Sequence, residues 1–531
     1  MMDGEGGQMT KQLVTIEEQQ VFSQSAVWQA QRHYYDESGI DAWSGDVPCY
    51  ITTNPFIAYH YAAVVAAFIE DWQAKHPECS GEPFYCVEIG AGHGQFGFYF
   101  LKKLQEIMHA KGVQTIPVCY VMTDFTASNI DFWKKHSGLV DFVQSGLLDF
   151  AQFDFEKDDH LHLIHQDRVI SRGDIQQPVV VFANYLFDSI VTDVFRVNQG
   201  SLEEARTTLT TPASNVGEFG PRDWEKVNFA FTHAEMSDDY YQHPDFDRLL
   251  NSYRTMSDDT YLQFPIGSLR GLENLKRLSN DKMVLLSSDK GYVSWDELDG
   301  LEAPEFAIHG SFSLMVNFHA LGEYCKSQGG DCQIPYAIDG FVSGLFLMGL
   351  TLDQLPATQL AQTANIMAFG PAEFFCFYEH MEPIIEKQPL KTIAAYLSLS
   401  RWDPYIYQQV SERINELVDD ADEDLVQYLT EHLPKVAEQF YYLPDSHDIL
   451  FDLAVYYHEA EHYQKAIDFY EQSSQYFEPT YALHYNWGYS LYHAGSHQEA
   501  LVHFEKALVL QPGDDDAKQW VGRLHDELVV V

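Results

Sequence analysis

Basic residues are scarce in this chain: 32 lysines and arginines stand against 79 aspartates and glutamates in 531 residues, a formal net charge of -47. A field of that sign repels phosphate backbones and anionic headgroups, so nucleic acid and membrane surfaces are disfavoured as partners and basic proteins are favoured. Long apolar runs are missing too. The most apolar stretches, at 61–69 and 340–352, fall short of the roughly 18 to 20 residues that span a bilayer. The first twenty residues lack the charged start and apolar segment of an export signal. Cysteine is sparse: Cys49, Cys79, Cys86, Cys119, Cys325, Cys332 and Cys376 are odd in number and scattered, the pattern of reduced thiols rather than a disulfide framework. Together these absences predict a soluble cytoplasmic protein.

The length predicts two to four compact units. Short apolar runs at 84–89, 118–122, 178–183 and 282–287, with a shorter one at Phe142 and Val143, read as buried strands. Helical spacing at 96–107 and 127–135 separates the first of them. Parallel strands need crossover helices, so the alternation predicts a doubly wound α/β sheet covered on both faces. Residues 1–80 read as a helical cap, 81–380 as the α/β domain, and 200–277 as a polar insertion shaping a cleft rather than part of the sheet. Residues 381–445 read as a helical linker.

Beyond 446 a 34-residue period appears. Ala454, Ala466, Tyr470 and Ser473 recur as Gly488, Ala500, Phe504 and Ala507. Small residues at those places let two helices approach, aromatic ones fill the groove, and Pro479 and Pro512 punctuate the units. The pattern resembles the tetratricopeptide repeat, with units at 447–480 and 481–514 and a capping helix at 516–528. Two units are too few to bury a continuous core alone, so helices between 384 and 442 are expected beneath the first.

The stretch Val87-Glu88-Ile89-Gly90-Ala91-Gly92-His93-Gly94 stands where a strand ends and a helix opens. There, free backbone N–H groups and the helix dipole favour anionic groups, and glycine lets the backbone approach a ligand. Gly92, Gly94 and Gly97 also satisfy G-x-G-x-x-G, so glycine spacing alone leaves a dinucleotide and S-adenosylmethionine (SAM) both open. With Glu88 ahead of the glycines, E-x-G-x-G-x-G is similar to the first motif of class I SAM-dependent methyltransferases. That resemblance implies that Asp124, ending the second strand, takes both ribose hydroxyls, that Phe125 stacks beside adenine, and that Leu148 and Asp149 follow the third strand at the adenine amine.

Further segments resemble the MidA-like methyltransferases, a family that includes a mitochondrial assembly factor methylating an arginine of a respiratory complex I subunit. They are Tyr50-Ile51-Thr52-Thr53-Asn54-Pro55, Ala183-Asn184-Tyr185-Leu186-Phe187-Asp188, Ser288-Asp289-Lys290-Gly291 and residues 313–321. The resemblance implies a protein methyltransferase with Tyr185 and Asp188 around the acceptor and Asn184 accepting a hydrogen bond from the cofactor or the acceptor. Tyr185, Lys290 and Asn317 stand where that family has Glu, Tyr and Asp, so carboxylates that would hold a cationic acceptor are absent there. A protein acceptor recruited by the repeats is the first reading. A small-molecule methyltransferase and a non-catalytic interaction protein are the alternatives.

Two metal-like patterns are set aside. His458-Glu459-Ala460-Glu461-His462 matches H-E-x-x-H but falls at the turn between the two helices of the first repeat. His160, His162 and His165 alternate in a polar segment with no completing ligand. The aromatic run 374–378 reads as core.

Overall fold

The computed structural model describes residues 13–43, 49–79, 81–114, 116–212, 226–309 and 311–529. The chain divides into two compact units, Met1–Cys376 and Phe377–Val531.

Seven strands make the main sheet of the first unit: β1 (Phe84–Ile89), β2 (Val118–Asp124), β3 (Leu148–Gln152), β4 (Val179–Asn184), β5 (Met283–Tyr292), β6 (Asp331–Gln333) and β7 (Phe341–Met348). Every residue of β1, β2 and β7 is buried, which is why these strands read as unbroken apolar runs rather than alternating ones. Their order is β6-β7-β5-β4-β1-β2-β3, with a two-residue strand, Val316–Asn317, joined to the end of β5. Strands β1 to β5 are parallel, whereas β7 runs antiparallel to both β5 and β6. The winding reverses between β1 and β4. In open α/β sheets the crevice beyond the strand ends at such a reversal is where ligands bind.

The expected strand at Phe142 and Val143 is instead a short helix, Val140–Gln144. Two apolar residues are too short a run to specify a strand, and Phe142 packs edge-on against Phe98. Gly146, at φ 77°, then turns the chain into β3. Residues 200–277 differ more. They supply most of a second, antiparallel sheet of Leu13–Val21, Asp193–Asn198, Ser201–Pro212, Asn228–Glu235 and Thr260–Phe264. The N-terminal segment is therefore a strand hydrogen-bonded to 206–212 before it becomes a cap. The alternation in Ser201–Pro212 is real, but threonines and Glu204 occupy inward positions and disguise it. Phe22, Trp28, Val194, Leu209 and Phe312 form the core beneath.

Two helices flank the β1–β4 reversal. In α1 (Ala26–Ser38) Ser25 caps the start, and the chain continues as a 3-10 turn, Gly39–Trp43. In α2 (Pro55–Lys75) Asn54 accepts from Ile57 N–H and proline fills the first turn, where its missing N–H costs nothing. From α2 the Tyr61 hydroxyl reaches Ser288 Oγ at 2.7 Å and Asn184 Oδ1 at 3.2 Å, bracing the ends of β4 and β5.

In the second unit, Ile449–Glu459 pairs with Tyr463–Tyr476, Tyr481–His493 pairs with His497–Leu510, and Asp515–Val529 follows. All eight residues of the 34-residue pattern are buried. The stretch read as a linker belongs to the same core: Tyr457 donates to Thr430 O at 2.7 Å, and Ser411 to Asp452 at 2.7 Å. The first helix of the pair ends at Glu459 and Glu461 has φ 59°, so His458 and His462 do not share a helical turn. His160 and His162 lie exposed at a small hairpin. Among the described residues no helix is long and apolar enough to cross a membrane, and all seven cysteines are free thiols.

A Cβ on Gly488 would lie 3.2 Å from the Phe504 ring. Gly488→Leu is therefore expected to overpack the second repeat and lower stability by about 1 to 3 kcal/mol, read as a lower denaturant midpoint of the full chain.

Candidate functional site

The glycine loop leaves β1 with Gly90, Gly92 and Gly94 all in the left-handed region, at φ 65°, 55° and 83°. A side chain there would be strained, and at Gly92 it would also meet the Trp43 indole nitrogen at 2.8 Å. The loop then opens α3 (Gln95–Lys111). Its shape is held from β2: Ala91 N–H donates to Thr123 O at 2.9 Å, and Gly92 N–H to Asp124 Oδ2 at 3.2 Å. Asp124 also accepts from Thr126 N–H at 2.9 Å and Asn129 Nδ2 at 3.0 Å. Burial raises its carboxyl above the ordinary range, and these hydrogen bonds oppose the rise.

Glu88 is buried beneath the loop, where Tyr120 donates to it at 2.9 Å and α3 passes so close that a Cβ on Gly97 would stand 3.0 Å from its oxygen. Desolvation, with a smaller contribution from the Asp124 charge, pushes its carboxyl up to about 8. His93 goes the other way, down to about 4, because burial disfavours its charged form.

Two cavities meet at this loop. The larger, about 90 Å³, is bounded by Asp124, Phe125, Asn129, Phe153, Asp154 and Leu186 on the sheet side and by Arg32, Tyr35 and Trp43 from the N-terminal segment. The smaller, about 30 Å³, is bounded by Glu88, Gly90, Ala91, Gly92, Thr52, Thr53 and Asn184. Trp43, Gly90 and Tyr185 line both. Asn184 Oδ1 accepts from Ser288 N–H at 3.1 Å and from Tyr61, which fixes the amide and leaves its buried Nδ2 without a partner. Asn184 thus offers a donor here. Tyr185 has φ 46°, a conformation costing an aromatic residue about 1 to 3 kcal/mol, held by its N–H to Ser288 O at 2.9 Å.

The structure thus brings together Glu88, Gly90, Ala91, Gly92, Asp124, Phe125, Asn184 and Tyr185, with Gly94 capping α3 behind them. It does not bring Leu148 and Asp149 there. Both begin β3 rather than follow it, and the buried Asp149 carboxylate accepts from His165 N–H at 2.7 Å and Gln166 N–H at 3.0 Å. The apolar pair Phe142 and Val143 suggests a strand ahead of the real one, and the residues that truly follow β3 are Phe153, Asp154 and Phe155. Asp188 stands behind the cavity wall: Ser189 Oγ donates to it at 2.9 Å and its own N–H reaches Asp289 at 3.2 Å.

Sequence reasoning also missed Trp43, Arg32 and Asn129. Arg32 pairs with Asp154 at 2.6 Å and sits 4.4 Å from the centre of the Phe125 ring. No local motif marks a residue that acts by covering a distant loop. Asn129 lies one turn into α4 (Ala127–Trp133), five residues after Asp124, and that spacing was a readable signal. Among the described residues no group of three or more metal-ligating side chains is clustered.

Residues 481–514 match the tetratricopeptide repeat family. No curated protein matches the chain. Among solved structures, an uncharacterized superfamily protein from Burkholderia thailandensis is 12% identical, over 59% of this chain and 73% of that one, with a TM-score of 0.36. A member of the same superfamily from that organism, bound to S-adenosyl-homocysteine, is 13% identical over 53% and 63%, at 0.33. The 1,6-didemethyltoxoflavin-N1-methyltransferase of that organism is 11% identical over 61% and 87%, at 0.25. Similarity at these scores carries nothing over to this chain.

A carboxyl raised from near 4.5 to about 8 on folding binds its proton more tightly in the folded state, so its contribution to stability is greatest in acid and is lost as pH rises between those values. Glu88→Gln keeps an acceptor for Tyr120 and removes the titration. Between about pH 5 and 8 its unfolding midpoint is expected to fall less than that of the unaltered protein, every tenfold gain in proton affinity on folding being worth about 1.4 kcal/mol.

Proposed function

We propose that the first unit is a SAM-dependent methyltransferase. The observation that carries the reading is the pair of cavities joined at the glycine loop. One has an aromatic wall and a carboxylate that only accepts hydrogen bonds, the groups that recognise a base and ribose hydroxyls. The other is small and lined by polar groups, suited to an amino-acid end. The residues present fit this cofactor. Gly90 and Gly92 leave a cradle that a Cβ would fill, and the unpaired Asn129 Oδ1 and Asn184 Nδ2 stand at the two cavities. Asp124 would hold the ribose hydroxyls, Phe125 would flank the base, and Asn184 with the loop would hold the amino-acid end.

Bound there, the cofactor supplies a methyl group on a positively charged sulfur. The chain's own residues orient both partners and exclude water: Tyr185 stands where the cavities meet, and α1 with Trp43 covers the loop. A dinucleotide is disfavoured by topology. Its fold repeats the parallel mononucleotide half on the far side of the reversal, whereas here the antiparallel β7 occupies the place next to β5.

The repeats and the excess of acidic residues support a basic protein as the acceptor or its carrier. Arginine itself gains no support at Asn184, because a guanidinium has donors only and the amide presents a donor. The covered cavity favours a small acceptor, or a single side chain inserted beneath Trp43.

Calorimetric titration with SAM, S-adenosylhomocysteine and NAD tests the reading. Micromolar binding of the first two is expected, weakened at least tenfold by Asp124→Ala. Binding of NAD alone, or of none of the three, would overturn it.

A further inference from the structure

Beside the larger cavity, the carboxyl of Asp188, in the turn after β4, stands by that of Asp289 in β5. Asp289 is fully buried and accepts from Lys290 N–H at 2.8 Å, from Asp188 N–H at 3.2 Å and from the Phe187 backbone, so it fixes the turn that carries Asp188. Asp188 keeps some accessible surface and accepts from Ser189 Oγ at 2.9 Å. Tyr35, from α1, feels the Asp188 charge across the same cavity wall. Tyr35 and Ser189 both line the cavity, whereas neither aspartate does. The Ser189 hydroxyl therefore links the cavity to the carboxyl pair.

We propose that Asp188 and Asp289 take up, through Ser189, the proton released by the group methylated at this site. The inference rests on the methyltransferase reading. The N–H or O–H bond of the acceptor breaks, and its electron pair forms the new bond to a carbon drawn from a sulfonium methyl donor. The proton passes by way of the Ser189 hydroxyl to an Asp188 carboxylate oxygen, which becomes a carboxylic acid. Burial, and then the Asp188 charge, raise Asp289 well above the ordinary range, so Asp289 keeps its proton and Asp188 is the carboxylate that serves as base. Burial pushes Asp188 up to about 6, which leaves that base ionised at neutral pH and strong enough to take a proton. The titratable groups acting on the pair are Tyr35 and the two carboxyls themselves; burial and the Asp188 charge hold the Tyr35 phenol far above its ordinary range, so it stays neutral beside them.

A base serving the methylated atom must lie within electrostatic reach of the donor's charged sulfur. SAM carries that charge and S-adenosylhomocysteine does not. Calorimetry of both ligands at about pH 6, in two buffers of different ionisation enthalpy, is expected to show proton release with SAM beyond that with S-adenosylhomocysteine. The ratio of SAM affinity to S-adenosylhomocysteine affinity should rise from about pH 5 to 8, by about tenfold if SAM lowers the pair's pKa by about 1. Asp188→Asn should abolish the difference. Infrared titration of Glu88→Gln, which removes the other raised carboxyl, should show a carboxylic acid persisting through neutral pH and lost when Asp289→Asn is added. Binding of both ligands with equal proton counts, or no protonated carboxyl at neutral pH in Glu88→Gln, overturns the proposal alone. Failure of both ligands to bind overturns it together with the cofactor reading.

Discussion

The Asp124 carboxylate is the fixed point of the first unit. It is buried at the end of β2, and its three hydrogen bonds run to three pieces of chain: Gly92 in the loop, Thr126 in the turn that follows, and Asn129 in α4. Leaving any of these donors unpaired in the interior would cost about 1 to 3 kcal/mol, so the loop, the strand end and the helix are set relative to one another by one residue. The glycines are needed because the loop so held runs through left-handed conformations with Trp43 packed against it. The local fold and the proposed ribose contact are thus two uses of the same carboxylate.

The overall charge and the buried acids answer to different physics. Most of the acidic excess is solvated and acts at a distance, setting which partners approach. Glu88, Asp188 and Asp289 are desolvated, and burial moves each towards its neutral form. A strongly negative protein can therefore hold a nearly neutral interior at the crevice, where an ionised cluster would repel itself and reject a carboxylate-bearing ligand.

The parallel strands were legible in the sequence because burial on both faces leaves unbroken apolar runs, and the repeats because close helix packing demands small residues at a fixed period. The glycine loop and Asp124 were legible for a related reason: their residue types follow from backbone conformation and hydrogen-bonding capacity. What escaped depends on distant contacts. Leu13–Val21 is polar and gains its strand conformation from pairing with 206–212, and Trp43 and Arg32 matter through a loop and a ring far along the chain. Asp149 was misplaced by a single wrong strand boundary, since a carboxylate at the start of β3 and one just beyond its end point to opposite edges of the sheet.

Topology separates two ligands that the glycine spacing left open. A dinucleotide needs two mononucleotide cradles related across the reversal of winding, and each cradle needs parallel strands ending on the same side. Here β1 to β3 supply one cradle. Beyond β5 the antiparallel β7 directs its C-terminal end to the opposite edge of the sheet, so the second half is incomplete. The space beyond β4 and β5 is taken instead by Asn184, the strained Tyr185 and the carboxyl pair. One such cradle facing polar and ionisable groups suits the proposed transfer of a single nucleoside-borne group to a second reactant better than it suits a dinucleotide.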